Sequence, residues 1–187
     1  MPDLNDEELA KKVQNGDTES FGLLMGRYEP KLLRYARKFI GQQENIEDII
    51  QEVFIKAYTN IKSFDTKRKF SSWLYRIAHN ELVNALKKKD RNPIMYFDLD
   101  TLWPQPVAQE KTDQEIDRQE VKAQIELCLN HMDVKYREML ILFYLEELGY
   151  KEISEILHIS SSVVGVRLKR AREKMKKICV QHSYDSV

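Results

Sequence analysis

Residues 46–59 read IEDIIQEVFIKAYT. Ile46, Ile49, Ile50, Val53 and Ala57 stand at the i, i+3, i+4, i+7 spacing that places apolar side chains along one side of an α-helix. A second stripe at the same spacing holds Asp48, Gln51, Glu52 and Ile55, so two carboxylates, an amide and an apolar residue share an outward face. Such a face can accept hydrogen bonds from Arg side chains of a partner helix while Ile55 anchors the contact. An ordinary solvated acidic face has the same pattern. Either way the period is helical.

Working outward, the same period fills most of the chain. A first helix is expected after Asn5 or Asp6, ending near Gly16, with Glu7 and Glu8 favouring its N-terminal dipole. A second follows Asp17 or Thr18 and carries Phe21, Leu24, Met25, Tyr28, Leu32, Ala36 and Phe39 inward; Pro30 is expected to kink or interrupt it and Gly41 to end it. The third spans about 45–60 and the fourth about 71–89. The pattern lapses where Pro93, Pro104 and Pro106 cluster, and resumes near Thr112 to run to about Cys179. With only 6 Gly and 5 Pro there is little turn punctuation for a β-rich fold. The expectation is all-α: two small helical domains, 1–89 and 116–187, joined by a flexible linker over 90–115.

A composition of 42% hydrophobic and 32% charged residues excludes a disordered chain. The longest apolar run, Met139–Leu145, is too short to cross a bilayer, so no membrane insertion is expected. The N-terminus opens on acidic residues and shows no secretory signal, which points to the cytoplasm. Cys128 and Cys179 lack CxxC spacing and are expected as reduced thiols. Asp48 and Glu52 lie one turn apart, as in some acid–base or metal sites. However, the helix has no His, and His79, His131, His158 and His182 show no ligand spacing. No catalytic site, metal or cofactor is therefore expected.

The net charge is zero, but its distribution is not: residues 1–60 carry −3, 61–91 carry +6, 92–134 carry −6 and 135–187 carry +3. Basic blocks attract phosphate whatever the whole-chain total. Within the first basic block, Leu74, Ile77, Ala78, Leu82 and Ala85 form the buried side of the fourth helix, capped by Ser71 or Ser72. Trp73, Arg76, Asn80, Asn84 and Lys87 fall on another side at 100° per residue. The preceding loop adds Phe64, Lys67, Arg68 and Lys69. Rings stack on unpaired bases, amides read base edges and cations hold phosphates, so this mixture suits melted nucleic acid. Glu81 fits neither side.

From Tyr150 the chain reads YKEISEILHISSSVVGVRLKRAREKMKK. Ile153, Ile156 and Leu157 mark a short helix; Val164, Leu168 and Ala171 mark a second. His158 occupies the turn position that needs a left-handed backbone, and Ser160 can cap the second helix. That helix is expected to expose Ser161, Ser162, Val163, Val166, Arg167, Lys169 and Arg170, the pattern of a helix-turn-helix whose second helix enters the major groove.

The stretches DIIQEVFIKAY, FSSWLYRIAHN and YREMLILFYLEELGYKEISEILHIS with RLKRAR, in this order, resemble the extracytoplasmic-function group of sigma-70 RNA polymerase sigma factors. The resemblance covers about residues 18–89 and 122–178. It implies a non-enzymatic specificity factor that binds core RNA polymerase, at a coiled coil of the largest subunit and at the flap region, and directs it to promoter DNA. Asp48, Gln51, Glu52 and Ile55 would dock on the coiled coil. Phe64, Lys67, Arg68, Lys69, Trp73, Arg76, Asn80, Asn84 and Lys87 would melt and read the −10 element. Ser161, Ser162, Val163, Val166, Arg167, Lys169 and Arg170 would hold the −35 element, and an anti-sigma partner is implied. The sequence departs from the family habit at Asn84 (often Asp), His158 (often Gly), and Gly165 and Val166 (usually polar or basic), which puts specific readout by the last helix in question. Two other readings compete. A helix-turn-helix regulator would bind duplex DNA without polymerase. A hydrolase using Asp48 and Glu52 would need metal-dependent turnover.

Overall fold

The structure, a computed structural model, describes residues 4–40, 45–89 and 118–184. Among them every regular element is helical: α1 (Asp6–Gln14), α2 (Thr18–Ile40), α3 (Ile46–Asn60), α4 (Phe70–Lys89), α5 (Arg118–Asn130), α6 (Val134–Leu140), α7 (Tyr150–Leu157) and α8 (Ser161–Tyr184). A short 3₁₀ turn, Ile61–Ser63, follows α3, and a π-helical turn, Ile141–Leu145, extends α6. The expected linker and the stop at Gly41 lie outside the described residues. No described helix is long and apolar enough to cross a membrane.

Local chemistry sets the helix starts. Asn5 caps α1 with a reciprocal box: its side chain accepts from the Glu8 N–H at 2.8 Å, and the Glu8 carboxylate accepts from the Asn5 N–H at 3.0 Å. Asp17 holds the start of α2 without a reciprocal bond, accepting from the backbone of Glu19 and Ser20 and from the Ser20 hydroxyl. Those bonds hold its carboxyl below the ordinary carboxylate range, with the Ser20 hydroxyl the largest influence. Gly16, between the two helices, adopts φ +99°, a conformation that favours glycine.

α2 is the central element. Phe21, Leu24, Tyr28, Leu32, Ala36 and Phe39 are buried as the periodicity indicates, joined by Tyr35, while Met25 is only half-buried. Pro30 does not interrupt the helix, which runs unbroken to Ile40. Both Pro30 and Gly26, whose carbonyl loses its helical partner to the proline, are exposed, so water can satisfy the orphaned oxygen. On α3, Ile46, Ile50, Val53 and Ala57 are buried with Phe54, and Ile49 is half-buried. Glu81 finds its place here, its carboxylate 2.8 Å from the Lys56 ammonium across the α3–α4 contact.

α4 begins one residue earlier than expected, and neither Ser71 nor Ser72 caps it. The Phe70 N–H donates to the Glu7 carboxylate of α1 at 3.0 Å. Phe70 itself is buried against Tyr28, Phe64 and Trp73, and Ser72 is buried with it. Its inner side holds Leu74, Tyr75, Ala78 and Leu82, with Ile77 and Ala85 half-buried.

The second half of the chain packs α8 against α5, α6 and α7. The two cysteines are not separate thiols: Cys128 of α5 and Cys179 of α8 form a disulfide with Cα atoms 5.4 Å apart. They are 51 positions apart in sequence, so only the helix packing brings them within bonding reach.

Candidate nucleic-acid interface

A cleft opens beside the N-terminal half of α4, lined by Ser63, Phe64, Asp65, Arg68, Lys69, Ser72, Trp73, Arg76 and, from α7, Glu155. The loop before α4 is held from outside: the Gln14 side-chain amide donates to the carbonyls of Ile61 and Phe64 at 2.8 and 2.7 Å. Asp65 turns it, accepting from the Lys67 N–H at 3.0 Å. Trp73 forms the apolar wall, backed by the buried rings of Phe64 at 5.2 Å and Phe70 at 5.7 Å. Trp73 and Arg76 are half-buried, and Arg68 and Lys69 are exposed. Ser72 Oγ is buried with no hydrogen-bond partner among the described residues. An aromatic wall, three cations and an unsatisfied hydroxyl suit an unpaired base with its phosphate.

The structure thus brings Phe64, Arg68, Lys69, Trp73 and Arg76 together. It leaves Lys67 outside the cleft, and Asn80, Asn84 and Lys87 exposed farther along α4. One expectation needs correcting. Phe64 is only 4% exposed and belongs to the core, so it supports Trp73 from beneath instead of offering its own ring. Ser63, Asp65 and Ser72 were missed, although all three lie within the basic block. Glu155, from a different domain, left no signal there.

On α3, Asp48, Gln51, Glu52 and Ile55 are all exposed, Ile55 at 56%. Glu52 lies 3.5 Å from Lys56 one turn later. Tyr58, 43% exposed and three residues beyond Ile55, extends the stripe and was missed.

The helix-turn-helix is present as expected. His158 adopts φ 54°, ψ 40°, the left-handed turn conformation. Ser160 caps α8: its carbonyl accepts from the Val164 N–H at 3.0 Å and its hydroxyl lies 3.4 Å from the Val163 N–H. The exposed face is narrower than expected. Ser161 and Ser162 are exposed, but Val163, Val166, Arg167, Lys169 and Arg170 are half-buried, because α8 is flanked by three helices. At Gly165 an added Cβ would lie 3.4 Å from the Tyr150 ring of α7, an ordinary contact distance.

The two halves also touch. The Arg34 guanidinium of α2 pairs with Glu146 at 2.9 Å, and the Tyr75 hydroxyl of α4 donates to the same carboxylate. Tyr35 O–H donates to Glu138 at 2.5 Å, and His79 Nδ1 lies 2.6 Å from it. Burial, then the neighbouring carboxylates, hold both phenols protonated well above their ordinary range. Arg68, inside the cleft, pairs with Glu155 at 3.0 Å. Among the described residues no cluster of His, Cys, Asp and Glu could hold a metal ion.

Comparison with known proteins agrees with this layout. Residues 24–92 match the Sigma-70 region 2 family and residues 122–175 match Sigma-70, region 4. The chain is 36% identical over 175 residues to the ECF RNA polymerase sigma factor SigW of Bacillus subtilis (strain 168), covering 89% of this chain and 92% of that protein. It belongs to the extracytoplasmic-function sigma factors. Its fold matches that of CnrH, solved with the cytosolic domain of CnrY (TM-score 0.69, 24% identity, 92% of this chain and 96% of that one). It also matches that of the sigma factor RpoE solved with the anti-sigma factor NepR from Bartonella quintana (TM-score 0.65, 22% identity, 86% and 97%). As a family member this sigma factor is not an enzyme; it acts with RNA polymerase in promoter-specific transcription initiation.

Proposed function

We propose the following division of labour among the named surfaces. Residues 1–89 form one unit that grips core polymerase through Asp48, Gln51, Glu52 and Ile55 of α3, with Tyr58 beside them. Its cleft holds unpaired bases of the −10 element between Trp73 and the cations Arg68, Lys69 and Arg76. Residues 116–187 form the second unit, whose α8 holds the −35 element, and 90–115 connect the two. The observation that carries this reading is the cleft itself: a supported Trp ring, flanking cations and an unsatisfied Ser72 hydroxyl in one place.

The factor works in the cytoplasm, where polymerase is, and is held in reserve by an anti-sigma partner. The solved complex of RpoE with the anti-sigma factor NepR supports the latter. Trp73→Ala tests the cleft in promoter-directed transcription with core polymerase. Permanganate reactivity of the −10 region should fall at least tenfold, while closed-complex footprints change little. Equal permanganate signals would remove Trp73 from strand trapping.

A further inference from the structure

The loop that carries the cleft, from Ile61 to Phe70, is tied at both ends to α1, a helix whose residues do not line the cleft. At the start of the loop the Gln14 side-chain amide donates to two carbonyls, that of Ile61 at 2.8 Å and that of Phe64 at 2.7 Å. At its end the Phe70 N–H donates to the Glu7 carboxylate at 3.0 Å. Glu7 and Gln14 are seven residues apart on α1, so they share one face to within about 20° and stand about 10 Å apart along the axis. Both are half-buried, and they reach across 47 and 63 positions of sequence. α1 is itself anchored on α2. The Asp6 carboxylate accepts from Arg27 at 2.7 Å and from the Tyr28 hydroxyl at 2.6 Å, and Arg27 also donates to the Leu4 carbonyl. The loop's own hydrogen bonds are local turns: Phe64 N–H to the Ile61 carbonyl, Lys67 N–H to the Asp65 carboxylate and Arg68 N–H to the Asp65 carbonyl. Such turns shape the loop but do not fix it against the helices.

We infer, resting on the cleft as the strand site, that Glu7 and Gln14 are positioning residues for strand capture and that α1 is a splint that sets the cleft before DNA arrives. Gln14 fixes the carbonyl of Phe64, whose buried ring backs Trp73. Glu7 fixes the first residue of α4, Phe70, whose ring backs Trp73 from the other side of the loop. The two pins thus hold the two rings on which Trp73 rests, and Arg68 and Lys69 lie between them in the chain. A base is held tightly where ring and cations already stand in place, whereas a loop that must be ordered on binding loses part of that affinity. The pins need opposite chemistry. Position 7 needs an acceptor, and position 14 needs two donors on one nitrogen.

The test exchanges amide and carboxylate at the two positions, in the full chain assembled with core polymerase. Gln14→Glu keeps the size of the side chain but offers the two carbonyls no donor, whereas Glu7→Gln keeps an acceptor for the Phe70 N–H. Asn5→Ala weakens α1 by removing its cap and leaves both pins in place. Permanganate reactivity of the −10 region should fall about fivefold with Gln14→Glu and with Glu7→Ala, and by no more than about twofold with Glu7→Gln and Asn5→Ala. Closed-complex footprints and capture by polymerase should not change in any of them. In a Trp103→Phe background Trp73 is the sole tryptophan. Its emission should move to longer wavelength, and acrylamide should quench it more readily, in Gln14→Glu and Glu7→Ala but not in Glu7→Gln or Asn5→Ala. Gln14→Ala, which removes the donors without adding charge, must move both readouts in the same direction, and circular dichroism confirms folding. Wild-type opening by both Gln14 variants overturns the splint, as does an equal loss in Asn5→Ala, which would make α1 stability the whole effect. Trp73→Ala, run in parallel, separates the two readings. If it opens promoters normally, the cleft reading falls and the splint with it; if it is impaired while the Gln14 variants are not, the splint alone falls.

Discussion

Breaking the Cys128–Cys179 bridge should destabilise the second domain by a calculable amount. The two cysteines are 51 positions apart, and their bond joins α5 to the far end of α8. Closing a loop of that length in the unfolded chain removes about 14 cal/mol/K of entropy, or about 4 kcal/mol at room temperature. Each kcal/mol shifts the midpoint of a domain this small by roughly 4–8 °C, so reduction should lower the transition of the second domain by roughly 15–30 °C. The assay is a thermal melt of the oxidised full chain with and without dithiothreitol. Cys179→Ser is the companion variant, because that end is half-buried whereas Cys128 is fully buried and would leave a hydroxyl in the core. The variant should melt like the reduced protein and ignore the reductant, and the oxidised wild type should show no reactive thiol in denaturant. If oxidised and reduced proteins melt together, the helix packing does not hold the cysteines in bonding register. The placement of α5 on α8 would then be wrong.

Other outcomes follow from single positions. Gly165→Ala should stabilise α8 by about 1 kcal/mol in chemical denaturation, since the new methyl meets Tyr150 at an ordinary distance; a loss of stability would mean that α7 and α8 lie closer than described. Asp48→Lys combined with Gln51→Ala should abolish capture by core polymerase in a pull-down while leaving the helical spectrum intact, as both side chains are exposed. The carboxyl of Asp17 is held low by Ser20, so it contributes stability above the ordinary aspartate range that is lost as pH falls through its folded value. The stability difference between wild type and Asp17→Asn should therefore be full at neutral pH and shrink in acid. A difference that is constant with pH would leave the Asp17–Ser20 bond without electrostatic weight.

What the sequence made legible was local. The period of α3 put Asp48, Gln51, Glu52 and Ile55 outside, and the structure leaves them there. The left-handed tolerance of His158 and the capping chemistry of Ser160 placed the turn of the helix-turn-helix to the residue. What stayed hidden needed a partner distant in sequence. Ser71 and Ser72 are good local caps, but Phe70 is drawn into a ring cluster with Tyr28 and Phe64, so the helix starts earlier and Glu7 caps it from α1. Phe64 reads as a loop aromatic until α4 folds over it. Tyr75 sits at the margin of its stripe, whereas Tyr35, three residues after Leu32 and four before Phe39, falls within its own; in neither case does the local sequence show that Glu138 and Glu146 take the hydroxyls. Pairwise chemistry across about 60 to 110 positions has no signature in a window of one helix.

The same long-range chemistry resolves the oddity of a nucleic-acid-binding chain with no net charge. Glu126, Glu138, Glu146 and Glu155 come from the second domain, and Lys38, His79, Arg34 and Arg68 from the first. In the structure these carboxylates lie on their partners, so the charge that Arg68 presents to DNA is offset by its own chain. Salt acts in two opposing directions: it weakens phosphate binding by counterion competition, and it loosens the partly exposed Arg68–Glu155 pair that competes with a phosphate for the guanidinium. Arg34–Glu146 is less sensitive, because that carboxylate is nearly buried. The salt dependence of single-strand binding by the wild type should therefore be shallower than that of a Glu155→Gln variant, which lacks the competing carboxylate. For the wild type, part of what salt takes from the DNA complex it also takes from the competitor. Parallel slopes would show that Glu155 and the strand do not share Arg68.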